Sequence, residues 1–154
     1  MDLNVTKVLQ CIDSITQQIA NHHGLIYPYQ RNIEDLITRQ ALVVIKLDLI
    51  LTEYRNNIDK SGFLLYGKNA LYHYLFTQKN ISIKDSKEMD FQTVLLVMWD
   101  DICNYSFPAN VDAQIKNFFP LSDLDFARLL RSSPQYQCIP PDVWMPELVD
   151  KLLS

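Results

Sequence analysis

Glycine is nearly missing from this chain. Three glycines stand among 154 residues, against about 7% in an average protein, which leaves too few positive-φ positions for the many tight turns of a β-sandwich or barrel. Cysteine is scarce too: Cys11, Cys103 and Cys138 are odd in number and far apart. They make neither a disulfide framework nor a CxxC metal knuckle, so the expected setting is a reducing cytosol and the expected localisation cytoplasmic. Long hydrophobic runs are also lacking. The longest apolar stretches, residues 41–45 and 94–99, have five and six residues, whereas a membrane helix needs roughly twenty. Asp2 stands where a secretion signal wants a cation, and neither end carries a lipidation motif, so no membrane partner is expected.

Positive charge is not in excess either. With 14 basic against 18 acidic side chains the net charge is −4, and a binder of phosphate backbones would instead carry a basic stripe, so no nucleic-acid partner is expected. The imbalance is confined to one half: residues 1–77 hold seven basic and seven acidic side chains, residues 78–154 seven and eleven. A composition of 48% apolar and 21% charged residues fits one globular domain over 1–154 and excludes collagen-like, mucin-like and fully disordered chains. A core of this size buries roughly two-thirds of the surface of the unfolded chain, so folding requires neither metal nor disulfide.

The periodicity is helical. Val5, Val8, Ile12, Ile15 and Ile19 alternate spacings of three and four, which stacks them along one helix stripe. Gly24 suits the left-handed residue that closes this helix. Asn32 and Asp35 suggest the cap of a second helix, with Leu36, Val43, Leu47, Ile50, Tyr54 and Ile58 on one face. Residues 41–51 are interrupted only by Lys46 and Asp48, so the second helix is expected at the centre of the fold, although the same alternation also fits a short strand. Leu64, Leu65, Leu71, Tyr74 and Leu75 suggest a third helix, which Gly67 would weaken by about 1 kcal/mol if it lay in the interior. Asp85 with Glu88 resembles a capping pair ahead of a four-turn face of Phe91, Leu95, Met98 and Ile102. Six of the seven prolines follow residue 107 and cut the remainder into short helices at 110–119, 122–131 and 146–153, with an irregular strap over 132–145. The expected architecture is a compact all-α bundle of about six or seven helices. In it the second and fourth helices form the buried pair and the proline-separated C-terminal third wraps them.

Chemistry-bearing motifs are few. A glycine-rich phosphate loop, GxSxG, HExxH, an EF-hand loop and zinc spacing are all lacking, so no catalytic residue, cofactor or metal is assigned. His22 and His23 are adjacent and diverge by about 100° on a helix, which suits a helix C-terminus better than a metal. His73 lies between two tyrosines with no acid near it in sequence. Residues 100–125 carry Asp100, Asp101, Asp112, Asp123 and Asp125 against Lys116 alone. If short connections gather these aspartates on one side, they form a negative face able to steer a basic partner, although caps and turns also prefer aspartate. Asp100 and Asp101 are expected at the C-terminal end of an apolar helix, where the dipole disfavours them. Aromatic residues cluster at Tyr66, Tyr72, Tyr74 and Phe76 and again around Trp99, as a core or as an interface.

The expectation is a non-catalytic protein-binding module of the inhibitor or immunity type that docks a basic protein through those five aspartates. Two alternatives come from other classes. One is a small hydrolase or nuclease using His73 with carboxylates brought close by folding, and the other a subunit that self-associates through its tyrosine-rich helix.

Overall fold

A computed structural model describes residues 3–121 and 126–153. The first helix, α1 (Val5–His22), opens on Asn4, whose side chain accepts the Lys7 amide at 3.2 Å. It closes as expected on a left-handed glycine: Gly24 takes φ +65° while the Leu25 amide reaches back to the Ala20 carbonyl at 2.9 Å. Val8, Ile12, Ile15 and Ile19 are buried along the expected stripe.

The 28-residue α2 (Arg31–Ile58) is the axis of the molecule. Residues 41–51 are helical throughout, and burial extends around nearly the whole helix, from Leu36 and Ile37 through Val44, Ile45 and Leu49 to Thr52. The start differs from expectation. Gln30 precedes the first turn with extended backbone and no side-chain cap, which places Asn32 inside that turn, where a capping side chain has no role. Ile58 at the far end is 54% exposed. The most extensive packing of α2 is against α1 rather than against a fourth helix.

In α3 (Lys68–Lys79), Gly67 is the residue before the helix and not part of its interior. It adopts φ 60°, ψ −131°, a conformation that glycine alone reaches cheaply. The helix therefore escapes the expected penalty, and Leu64 stays outside it at 64% exposure. Ahead of it, the Asp59 carboxylate folds the loop by accepting the amides of Leu64 and Leu65, each at 2.9 Å, and the Ser61 hydroxyl at 2.8 Å.

The expected four-turn helix is three short ones: α4 (Ile83–Glu88), α5 (Phe91–Val97) and α6 (Trp99–Asn104). Ser82, not Asp85, caps α4 by accepting the Asp85 amide, and Asp90 caps α5 by accepting that of Thr93. At Met98 (φ −89°, ψ 1°) the helix breaks for one residue. The predicted face survives the break, since Phe91, Leu95, Met98 and Ile102 are all buried. Beyond it come α7 (Ala109–Phe118), α8 (Phe126–Ser132), 3₁₀ turns at Pro134–Tyr136 and Pro141–Val143, and α9 (Pro146–Leu153) with its proline at the first position.

The class is all-α: among the described residues there are nine α-helices and no strand, more helices than expected because α4, α5 and α6 stand where one was expected. No helix among them is long and apolar enough to cross a membrane. The C-terminal pieces pack on α1 and α2 rather than on the expected pair of second and fourth helices, with α7 and α9 on α1 and α8 on α2. Polar groups fasten this packing. Trp144 donates its indole N–H to Asp48 of α2 at 2.9 Å and stacks on Phe91, centroids 5.1 Å apart. Asp150 of α9 pairs with Arg55 of α2 at 2.5 Å and accepts the Gly67 amide at 2.6 Å, so one buried carboxylate ties three elements together.

Candidate functional site

The aspartates singled out in the sequence are unequal in their surroundings. Asp100 and Asp101 lie in the first turn of α6 and not at a helix C-terminus, because the break at Met98 starts a new helix there, and the dipole now favours them. Asp100 is exposed, with no ion pair among the described residues. Asp101 is half-buried, accepts the Tyr74 hydroxyl at 3.0 Å and sits 2.7 Å from Lys79 Nζ. Burial and this carboxylate push the Tyr74 hydroxyl up to about 12. Asp112, in the first turn of α7, pairs with Lys116 one turn on at 2.7 Å. Asp123 and Asp125 lie outside the described residues. Of the three described members, two already have a lysine of the same chain beside them.

The histidines are held by aromatic neighbours. His73 Nδ1 lies 2.8 Å from the Tyr54 hydroxyl, which is also 2.7 Å from Thr77 Oγ1. His23 packs its ring 4.6 Å from that of Tyr136, and burial draws its imidazole below the ordinary value. His22 is exposed in the last turn of α1. Among the described residues, no three of the His, Cys, Asp or Glu side chains are grouped to hold a metal. In the tyrosine-rich stretch, Tyr66 is 46% and Phe76 53% exposed, whereas Tyr72 and Tyr74 are half-buried.

Sequence reasoning missed a groove of about 640 Å³ between α2, the α5–α6 pair and the C-terminal strap. One wall is Arg39, Leu42, Val43 and Lys46 of α2, the other Leu95, Leu96, Trp99 and Ile102, and Leu130, Tyr136 and Ile139 close the third side. Its lip is apolar and open to solvent: Leu96 is 68% exposed, Trp99 48% and Leu121 36%. Among the described residues that line it, two are charged, Arg39 and Lys46, and both are cations. Gln40 anchors the strap to the groove's α2 wall by donating its side-chain amide to the Tyr136 carbonyl at 2.5 Å. The signal for this groove was the run at 94–99. Six consecutive apolar residues on a short helix cannot all face one core, so some must point outward.

Two further cavities are simpler. One of about 470 Å³ lies between α3, α5 and the strap and is lined by Tyr72, Phe91, Cys138 and Trp144. The other, about 10 Å³, lies beside Cys11, Ser14 and Asp48, room for about one water. Burial raises the Asp48 carboxyl to about 8, against the pull of the Trp144 N–H, and lifts the Cys11 thiol to about 11.

No protein-family model, curated protein or solved structure matches this chain.

Proposed function

We propose that the chain is a non-catalytic protein-binding module of the cytosol that docks its partner in the groove between α2, α5–α6 and the strap. The observation that carries this is the lip, where Leu96 and Trp99 stand 68% and 48% exposed beside an apolar trough. Contiguous apolar surface rimmed by a few polar groups marks protein interfaces, and tryptophan is an enriched anchor there. The cytosolic setting is supported by the free thiols of Cys103 and Cys138, both exposed, which suit a reducing compartment. A second reading, an inhibitor or immunity-type protein that meets a basic partner through its acidic side, is favoured by the exposed Asp100 and the acidic excess of residues 78–154. It receives less support than the groove, because Asp101 and Asp112 already face Lys79 and Lys116.

Capture from native lysate with three immobilised proteins separates the two. The groove predicts that a partner held by the wild type is lost with Leu96→Asp and kept with Asp100→Lys. The acidic face predicts the reverse, and a capture pattern indifferent to Leu96→Asp overturns the groove.

A further inference from the structure

In the wall of the cavity of about 470 Å³ between α3, α5 and the strap, two side chains hold a buried polar atom with no hydrogen-bond partner among the described residues. They are the hydroxyl of Ser86, a residue 2% exposed, and the side-chain carbonyl of Gln92. We infer that this cavity binds a small ring-bearing carboxylate that also carries a hydrogen-bond donor, such as a ring N–H or O–H. The inference does not depend on the groove being a docking surface.

The orphaned atoms define the donor. A buried polar group left unpaired is costly and calls for a partner from outside the fold. The Gln92 carbonyl only accepts, so that partner must donate, whereas the Ser86 hydroxyl can meet either kind of group. Water would satisfy both atoms but leave Met89, Ile139, Pro141 and Trp144, none of them fully buried, partly wet. A ring answers this better. Trp144 and Phe91 of the lining stack with 13° between their planes, which makes a flat aromatic wall, and the volume is that of a small-molecule site. The lysines define the charge. Lys68 and Lys87 belong to the lining, and their ammonium groups stand 5.8 Å from the centre of the Trp144 ring and 5.9 Å from that of Tyr72. An ammonium held over a ring face keeps N–H donors for a carboxylate. Asp90 is the one acid in the described lining, and its carboxylate is committed to the start of α5, accepting the Thr93 amide at 2.7 Å.

Cys138, exposed in the lining, reports on the cavity, and the exposed Cys103, which is not part of this lining, is an internal control. The test offers the full chain a set of ring fragments under disulfide exchange. Each fragment carries a carboxylate, a primary amide or an ammonium group, with or without a ring N–H or O–H, and mass spectrometry reads which fragments are retained at each cysteine. The expected result at Cys138 is about tenfold retention of carboxylates over their ammonium counterparts, with a further preference for fragments bearing the ring donor, and neither preference at Cys103. Lys68→Glu/Lys87→Glu should reverse the charge preference and Ser86→Ala/Gln92→Leu remove the donor preference. The comparison of the two cysteines in the wild type stands without either variant. Retention at Cys138 that is indifferent to the head group or to the ring donor overturns the inference. So does an equal preference at Cys103, or a charge preference that survives Lys68→Glu/Lys87→Glu.

Discussion

Asp48 sits in the middle of the most apolar stretch of α2, 3% exposed, with one carboxylate oxygen on the Trp144 indole and the other without a donor among the described residues. Its carboxyl is raised from 3.8 to about 8 by burial. The folded state therefore holds a proton that the unfolded chain gives up, and stability falls as pH rises from about 4 through about 8. Urea unfolding at pH 5 and pH 8 should show the wild type weaker at the higher pH, by an amount on the order of a few kcal/mol. Asp48→Asn keeps an acceptor for Trp144 and should remove most of that slope, whereas an equal slope in the variant would contradict the assignment. Asp59 acts in the opposite sense: backbone amides hold its carboxyl down at about 2, so its contribution is present above pH 3.8 and lost on acidification through pH 2. Gly67 presents a second residue-level test. A β-carbon there would lie 2.7–2.9 Å from the flexible side chain of Glu147, which can move, but φ 60° with ψ −131° cannot be relieved so easily. Gly67→Ala should therefore cost about 1–3 kcal/mol in thermal or urea unfolding, and the loss should persist in a Glu147→Ala background. From sequence Asp48 appeared only as an interruption and Gly67 only as a defect, because periodicity reports which face a residue occupies and not which distant group meets it.

At the level of elements, legibility followed the length of the periodic signal. The α1 stripe and the buried face shared by α5 and α6 were plain in the spacing of their apolar residues. The break at Met98 and the start of α2 were not, since both depend on backbone geometry at one residue. That single break also turned Asp100 and Asp101 from residues at a helix end into residues at a helix start, which changed what their charges mean. The groove was hidden for a different reason, being made by three elements distant in sequence. Asp150 is the fastening between α9, α2 and the start of α3. Asp150→Ala should destabilise the fold by about 3–5 kcal/mol, because it leaves the Arg55 guanidinium, 6% exposed, without its carboxylate; a melting curve like that of the wild type would show that the pair is not needed. Leu96→Asp, by contrast, alters a side chain already 68% exposed and should change unfolding stability by no more than about 0.5 kcal/mol. Circular dichroism melts of that variant establish that a loss of binding is a loss of contact and not of fold.

Across the whole molecule, net charge −4 pointed to a basic partner, whereas the charged residues in the described lining of the groove are Arg39 and Lys46. Net charge describes long-range steering, and the groove describes what is buried on contact, so the two need not agree in sign. The most direct test of docking in the groove is site-specific photo-cross-linking of the full chain in native lysate. The probe is placed at position 96 in one protein and at the exposed Asn117 of α7, away from the groove lining, in another. The groove predicts a discrete protein adduct from position 96, abolished by Trp99→Asp in the same chain, and none from position 117. Adducts that form equally from both positions, or from position 117 alone, would contradict it.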